Sequence, residues 1–418
     1  MLPEHAPLPE AAVGKLISFA SPVRYRSPPR MDLDRHLRAL LAPLAPGDEL
    51  TNGARITALS TELGLRVTVD IGGRDVHLEI ARVEDGGRFA ARTERLLFRY
   101  RDGAGRGDVD PALGLALCKA LAARASASER DVLAAIEREA FEARELEEAG
   151  ARVREVRVSS LLTAAGAPGE RHHTLSPYVG CLVGCRFCYA QTRVVESRRL
   201  ARLPEVPWGS YVDVRINAPE VLADELERLP PWPIKFCPIV SDPYHPIERR
   251  YGLTRACLQT IGAARSARPV LVLTRCRLVE QDLAVFAALP EAWLGVSIPT
   301  VDEEVRRFFE PRGASIMERL DILSTFSRHG VRTFAVVQPI LEGSIPALAD
   351  ALAPVVRSVS IDVLRGAFGA EAEFSDPRFA RTRDPAWQAA RAEELARELS
   401  ARGIPVWSGE LPPGMKIE

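Results

Sequence analysis

Apolar and polar positions follow two periods along the chain, and the change between them divides it. Leu33, Leu37, Leu40, Leu41 and Leu44 recur at helical spacing, which predicts a short helix from Met31 to Leu44. Leu65, Val67, Val69 and Ile71 then alternate with Arg66, Thr68 and Asp70; Gly72-Gly73 follows, and Val76, Leu78 and Ile80 alternate on the way back. That pattern is a hairpin turned on two glycines. A third strand is predicted around Thr93–Tyr100. Helices are predicted at about 110–125 and 128–149, the second capped by Ser128 and stopped near Gly150. Residues 31–150 therefore read as a small α+β domain without a catalytic constellation. Residues 1–30, rich in Pro, Ala and Arg and without a period, read as an extended arm.

From about residue 156 short apolar runs alternate with amphipathic segments. The predicted strands are Lys235–Val240, Val270–Thr274, Trp293–Ile298, Arg332–Val337 and Val359–Val363. The helices between them fall at about 217–229, 252–266, 278–288, 314–329 and 344–353. Strand–helix alternation implies a parallel sheet with right-handed crossovers. With one further strand ahead of a cysteine-bearing loop there are six βα units. The fold class is thus α/β, a partial (β/α)6 TIM-like barrel over residues 156–365, with the chemistry carried on loops at the C-terminal ends of the strands. Residues 366–418 form a C-terminal helical extension, with a helix at 385–402 and an edge strand at Pro405–Trp407.

Composition narrows the function. Lys plus Arg total 55 and Asp plus Glu 56, a net charge of −1 over 418 residues. This gives no basic excess, so nucleic acid is not indicated as a partner by charge. No apolar run approaches the roughly 18 residues of a membrane span, and the first residues lack a charged segment followed by an apolar one. A cytoplasmic protein without a membrane partner is expected. The seven cysteines are odd in number, which argues against a disulfide framework. Cys118, Cys237, Cys257 and Cys276 stand singly, as small buried hydrophobes do. Cys181, Cys185 and Cys188 fall within eight residues and need a chemical reason.

The run SerProTyrValGlyCysLeuValGlyCysArgPheCysTyrAlaGln spans residues 176–191. Gly180 and Gly184 argue for a loop that wraps closely round a bulky ligand. Thiolates are soft ligands for iron–sulfur clusters or zinc. Structural zinc takes four protein ligands, usually as two pairs, and no second pair is present; in the zinc reading His172 or His173 completes the set. A [4Fe–4S] cluster usually has four Cys ligands. Three leave one iron open, as reductive cleavage of S-adenosylmethionine requires. The spacing CxxxCxxC, with Phe187 before the last Cys, is the radical SAM motif.

Beyond the triplet, TyrValAspValArgIleAsnAlaProGlu (211–220), SerAspProTyrHisProIleGlu (241–248), ThrArgCys (274–276) and GluProArgGlyAlaSerIleMetGluArgLeu (310–320) stand in order along the chain. Over about residues 156–365 the sequence resembles the radical SAM superfamily, and within it the spore photoproduct lyase-like group. His245 stands where that group has Gln, and Arg275 where it has Lys. The resemblance implies that Cys181, Cys185 and Cys188 hold a [4Fe–4S] cluster. It implies that Ser241 and Asp242 face the methionyl amino group of S-adenosyl-L-methionine and Arg275 its carboxylate. Ser297 is implied at the ribose, and Val337 and Ile340 against adenine. Tyr189, Tyr244 and His245 are candidates to face the substrate, and Cys237 and Cys276 to donate a hydrogen atom.

The expected activity is reductive cleavage of S-adenosylmethionine to methionine and a 5′-deoxyadenosyl radical that abstracts hydrogen from an unidentified substrate. A flavodoxin- or ferredoxin-like electron donor is the implied partner. Two rival readings stand beside it: a DNA-lesion lyase of the spore photoproduct type, and a zinc-stabilised binding module without catalysis.

Overall fold

A computed structural model describes residues 32–415 apart from 52, 62–63, 103–107, 143–144, 149, 167–168, 237–239 and 365–368. The arm expected over residues 1–30 lies outside the described residues, as does Cys237.

The two-glycine hairpin forms as its pattern dictates. Strands Leu65–Ile71 and Arg74–Arg82 pair antiparallel from Ile71↔Arg74 to Leu65↔Ile80, and Gly72 and Gly73 both take positive φ. Two-residue turns of that hand match the twist of the strands they join. Around this hairpin an antiparallel sheet is built in the spatial order Glu49–Thr51, Ala54–Ser60, Leu65–Ile71, Arg74–Arg82, Leu96–Asp102, Ala91–Arg92. One face is apolar. Val67, Val69, Leu78 and Phe98 are buried there under helices Leu33–Leu41, Pro111–Ala125 and Glu129–Glu142, with Leu37, Leu121 and Ile136. Leu200 and Ala201, from far along the chain, belong to the same apolar cluster.

The predicted helix at 128–149 is corrected. It ends at Glu142, and Glu145–Glu148 is a strand paired antiparallel with Ala151–Val156 across a turn at Gly150. The glutamate-rich text favours helix locally, but the strand pairing is a tertiary gain that propensity does not register. Ala151–Val156 runs parallel to Tyr211–Arg215, which pairs in turn with Tyr178–Val179 just ahead of the first clustered cysteine.

The largest sheet holds the strands read from the alternation. Its order is Thr163–Ala165, His172–Thr174, Ile234–Phe236, Val270–Thr274, Ala292–Ser297, Arg332–Val337, Ser358–Ile361, Val406–Trp407. All neighbours are parallel except the first pair. From the second strand onward spatial order equals chain order, so the crossovers step one way, and the common right-handed connection carries the helices to one face. Val270 and Val272 pack in the large apolar cluster with Phe326 and Leu352, whereas Leu271 and Leu273 lie in a separate cluster with Trp293 and Phe334. The sheet is thus apolar on both faces, which is why its strands read as continuous apolar runs. Helices Ala190–Leu200 and Glu303–Phe309 and the single turn Glu248–Tyr251 escaped the sequence reading. No helix among the described residues is long and apolar enough to cross a membrane.

Candidate cofactor-binding site

The cysteine loop is shaped by its glycines. Gly180 has φ +89° and Gly184 φ +66°. A Cβ at Gly180 would stand 2.6 Å from the carbonyl oxygen of Tyr211, and one at Gly184 3.1 Å from Cα of Gly209. The backbone therefore curls against the neighbouring strand more closely than any side chain allows. Beyond Cys188 the chain enters helix Ala190–Leu200, and that helix is tied back to the antiparallel sheet: Arg82 Nε donates to the Leu200 carbonyl at 2.8 Å.

Cys181, Cys185 and Cys188 line one cavity of 490 Å³. Burial pushes each of the three thiols up to about 12. They are protonated until a cation takes the proton's place, as metal ligation of thiolates requires. Donors already address the sulfurs, backbone N–H groups of Val183, Ala190 and Gln191 among them. The Asp242 backbone N–H donates to Cys181 Sγ at 3.4 Å and Arg275 Nη1 to Cys185 Sγ at 3.0 Å. Among the described residues no three His, Cys, Asp or Glu side chains gather round a point able to hold a single metal ion. The three thiols share a cavity wall. Ligands of one tetrahedral zinc would all lie about 2.3 Å from it, whereas a cluster takes its cysteines at different irons. The donor set fits a cluster.

Asp242 organises the floor of the site. It is buried, and its Oδ1 accepts from the Tyr244 backbone N–H at 2.9 Å and from Thr274 Oγ1 at 2.6 Å, while Oδ2 accepts from the Arg275 backbone N–H at 2.9 Å. Burial raises its carboxyl above the ordinary carboxylate range. Arg275 Nη2 donates to Ser297 Oγ at 2.9 Å, and Nε lies 3.4 Å from Glu310 Oε1.

The structure brings together Phe187, Tyr189, Ser241, Asp242, Arg275 and Ser297 in the cavity lining. It does not bring Val337 and Ile340 there. Both are fully buried in the core, and Val336, Gln338 and Pro339 line the cavity instead. Side chains alternate across a strand, so the residue next to the chosen one faces the other side. Tyr244 is also away from the lining; its hydroxyl donates to Asp282 Oδ2 at 2.8 Å. Cys276 is buried and outside the lining. His245 is fully buried with its Nδ1 accepting from the Leu182 backbone N–H at 3.3 Å, and burial pushes it down to about 3. His172 Nδ1–H donates to the Glu170 carbonyl at 2.9 Å, and His173 stacks on Trp232 at 5.1 Å.

Sequence reasoning missed Gln338 and Asp362, which meet at 3.1 Å on the cavity wall. Each follows a strand's C-terminal end, and that position was the available signal. It also missed Arg101, which reaches the lining from the antiparallel sheet, and Trp208 and Glu410. A second cavity of 360 Å³ shares Tyr189, Leu273, Val336, Gln338, Asp362 and Glu410 with the first and adds Arg66, Lys235 and Trp407. Lys235 Nζ pairs with Glu410 Oε2 at 2.6 Å.

Residues 175–350 match the family model of the Radical SAM superfamily. Over that segment the chain is similar to the Radical SAM superfamily. Over 187 residues it is 29% identical to the uncharacterized protein MJ0683 of Methanocaldococcus jannaschii, covering 44% of this chain and 64% of that one. Over 183 residues it is 28% identical to the uncharacterized protein Rv2578c of Mycobacterium tuberculosis, covering 43% and 51%. The match thus spans between about half and 64% of these curated relatives' own length. Among solved structures, a spore photoproduct lyase complexed with dinucleoside spore photoproduct aligns with a TM-score of 0.46 at 17% identity, covering 66% of this chain and 85% of that one.

Proposed function

We propose that the protein is a radical SAM enzyme acting on a substrate still to be identified, built on a partial (β/α)6 barrel whose open face is the cysteine-lined cavity. The observation that carries this reading is the placement of all three thiols of the CxxxCxxC loop in one cavity wall inside the superfamily-matched segment. When bound, a [4Fe–4S] cluster there would supply one electron for the reductive cleavage of S-adenosylmethionine, yielding the 5′-deoxyadenosyl radical that abstracts hydrogen from the substrate. Cys181, Cys185 and Cys188 are its ligands. Ser241 and Asp242 hold the methionyl end, and Ser297 is in reach of a ribose hydroxyl. Val336 and Pro339 supply the apolar surface assigned from sequence to Val337 and Ile340. The adjoining cavity with Lys235, Trp407 and Asp362 takes the substrate and shelters it from water. A low-potential donor of the flavodoxin or ferredoxin kind completes the system.

Anaerobic reconstitution tests the reading. The protein should take up about four irons with sulfide, and with dithionite and S-adenosylmethionine it should release 5′-deoxyadenosine. Replacing the three cysteines together by Ala should abolish both. Zinc without sulfide in the parent, or iron retained by the triple variant, would overturn it.

A further inference from the structure

Arg275 is held at several points, from its backbone and from two of its guanidinium nitrogens. Its backbone N–H donates to Asp242 and its carbonyl accepts from the Ala314 N–H at 2.9 Å. Its guanidinium donates to Cys185 Sγ at 3.0 Å and to Ser297 Oγ at 2.9 Å, with Glu310 Oε1 3.4 Å from Nε. Glu310 is fully buried and is fixed from its other side by Arg319, whose Nη1 lies 2.7 Å from Glu310 Oε2 and donates to the Ser297 carbonyl at 2.7 Å. Two guanidiniums share one carboxylate, so this triad is left with one net positive charge beside the sulfur. Asp242, whose charge also acts on Arg275, takes its hydrogen bonds from a hydroxyl and two backbone N–H groups and none from the guanidinium.

We infer that Arg275, positioned by Glu310 and Arg319, raises the reduction potential of the cluster held by the three cysteines through its hydrogen bond to Cys185 Sγ. The inference rests on the cluster reading above. Hydrogen bonds to ligating sulfurs and nearby charge are among the levers that set a cluster's potential. A donor on the thiolate draws electron density from it, and a buried cation favours the form that has gained an electron. Reduction forms and breaks no bond in the protein. Each dithionite takes up two waters and gives two hydrogensulfites, two protons and two electrons, one electron for each of two cluster cores. The planar fork of Arg reaches Cys185, Ser297 and Glu310 at once, which the single ammonium of Lys cannot do. Arg275 is thus a positioning residue toward the cluster, distinct from any contact it makes with S-adenosylmethionine.

The test is a dithionite titration of reconstituted protein followed by electron paramagnetic resonance, without S-adenosylmethionine so that cofactor contacts play no part. Arg275→Met should keep the parent's iron and sulfide content and shift the midpoint to more negative potential. Arg275→Lys should shift it part of the way. A midpoint in Arg275→Met equal to the parent's, or more positive, overturns the inference. If Arg275→Met holds no iron, the comparison falls to Arg275→Lys, and an unshifted midpoint there overturns it equally. Loss of iron from both variants also overturns it, since Arg275 would then serve assembly and not tuning. Failure of the parent to take up iron is a different result, and it defeats the cluster reading itself.

Discussion

Glu310 Oε2 stands 2.7 Å from Arg319 Nη1 with both side chains fully excluded from solvent. The two come from opposite ends of a ten-residue stretch that looks, in sequence, like a turn followed by a helix start. Ser315 caps that helix and forms a capping box with Glu318, which sets the helix direction so that Arg319 reaches back to Glu310. Removing one member of a buried pair leaves the other unpaired. Arg319→Met should therefore destabilise the fold by about 3–5 kcal/mol. Urea unfolding of the purified variant measures it; a loss below about 1 kcal/mol would show that the pair is dispensable.

Asp242→Asn preserves shape but turns one acceptor into a donor. The three groups that face the carboxylate, Thr274 Oγ1 and the backbone N–H groups of Tyr244 and Arg275, all donate. At least one is then left unsatisfied, at about 1–3 kcal/mol. The expected outcome is a lower unfolding midpoint together with weaker S-adenosylmethionine binding, read by denaturant titration and by calorimetry.

Gly180→Ala puts a methyl group 2.6 Å from the Tyr211 carbonyl oxygen at φ +89°. Contact that close forces the loop to move, and Cys181 is the next residue. The variant should retain the parent's far-ultraviolet circular dichroism yet bind less iron on reconstitution. Parent-like iron content would show that the loop has slack.

Acid should weaken the fold through buried histidines. Burial, with a smaller contribution from Arg268, pushes His173 down from 6.5 to about 4. The folded state then holds fewer protons than the unfolded chain between these values. The stabilisation is complete above about pH 6.5 and declines as pH falls toward 4, by an amount on the order of 2–3 kcal/mol. His172 is displaced in the same direction. Melting temperatures should fall over that interval, and His173→Phe should flatten part of the slope.

Spore photoproduct in DNA is not the expected substrate. Repair would require attraction to a duplex and a place for an extruded lesion. The net charge of −1 supplies no general attraction. Incubation of reduced protein, S-adenosylmethionine and lesion-bearing DNA should restore no thymines by chromatography; stoichiometric repair would reverse this expectation.

The legible parts of the fold were those where a single residue pattern decides. Val270–Thr274 and Arg332–Val337 emerge with the boundaries read from their apolar runs, and the Gly72-Gly73 hairpin with its turn. The cysteine triplet was legible because its spacing has few meanings. Parity and distance were not legible. Val337 and Val336 are equally apolar, and only the strand's orientation decides which meets the cavity. Arg101 reaches the site from a sheet whose text carries no sign of chemistry. Glu310 and Arg319 were seen as part of a motif, but the contact with Arg275 that explains them depends on how separate βα units pack.

The hydrogen bond from Arg82 to the Leu200 carbonyl bears on where the chain can be cut. Residues 175–350 are the part with recognisable kin. The helix that closes their cysteine loop, however, ends with Leu200 and Ala201 inside the apolar cluster of the first sheet and its carbonyl on Arg82. A fragment trimmed to the shared segment would expose those side chains, strand that carbonyl and let the helix fray next to Cys188. Kinship and autonomy have different borders in this molecule, and the smallest piece able to keep the loop in shape begins well before the family resemblance does.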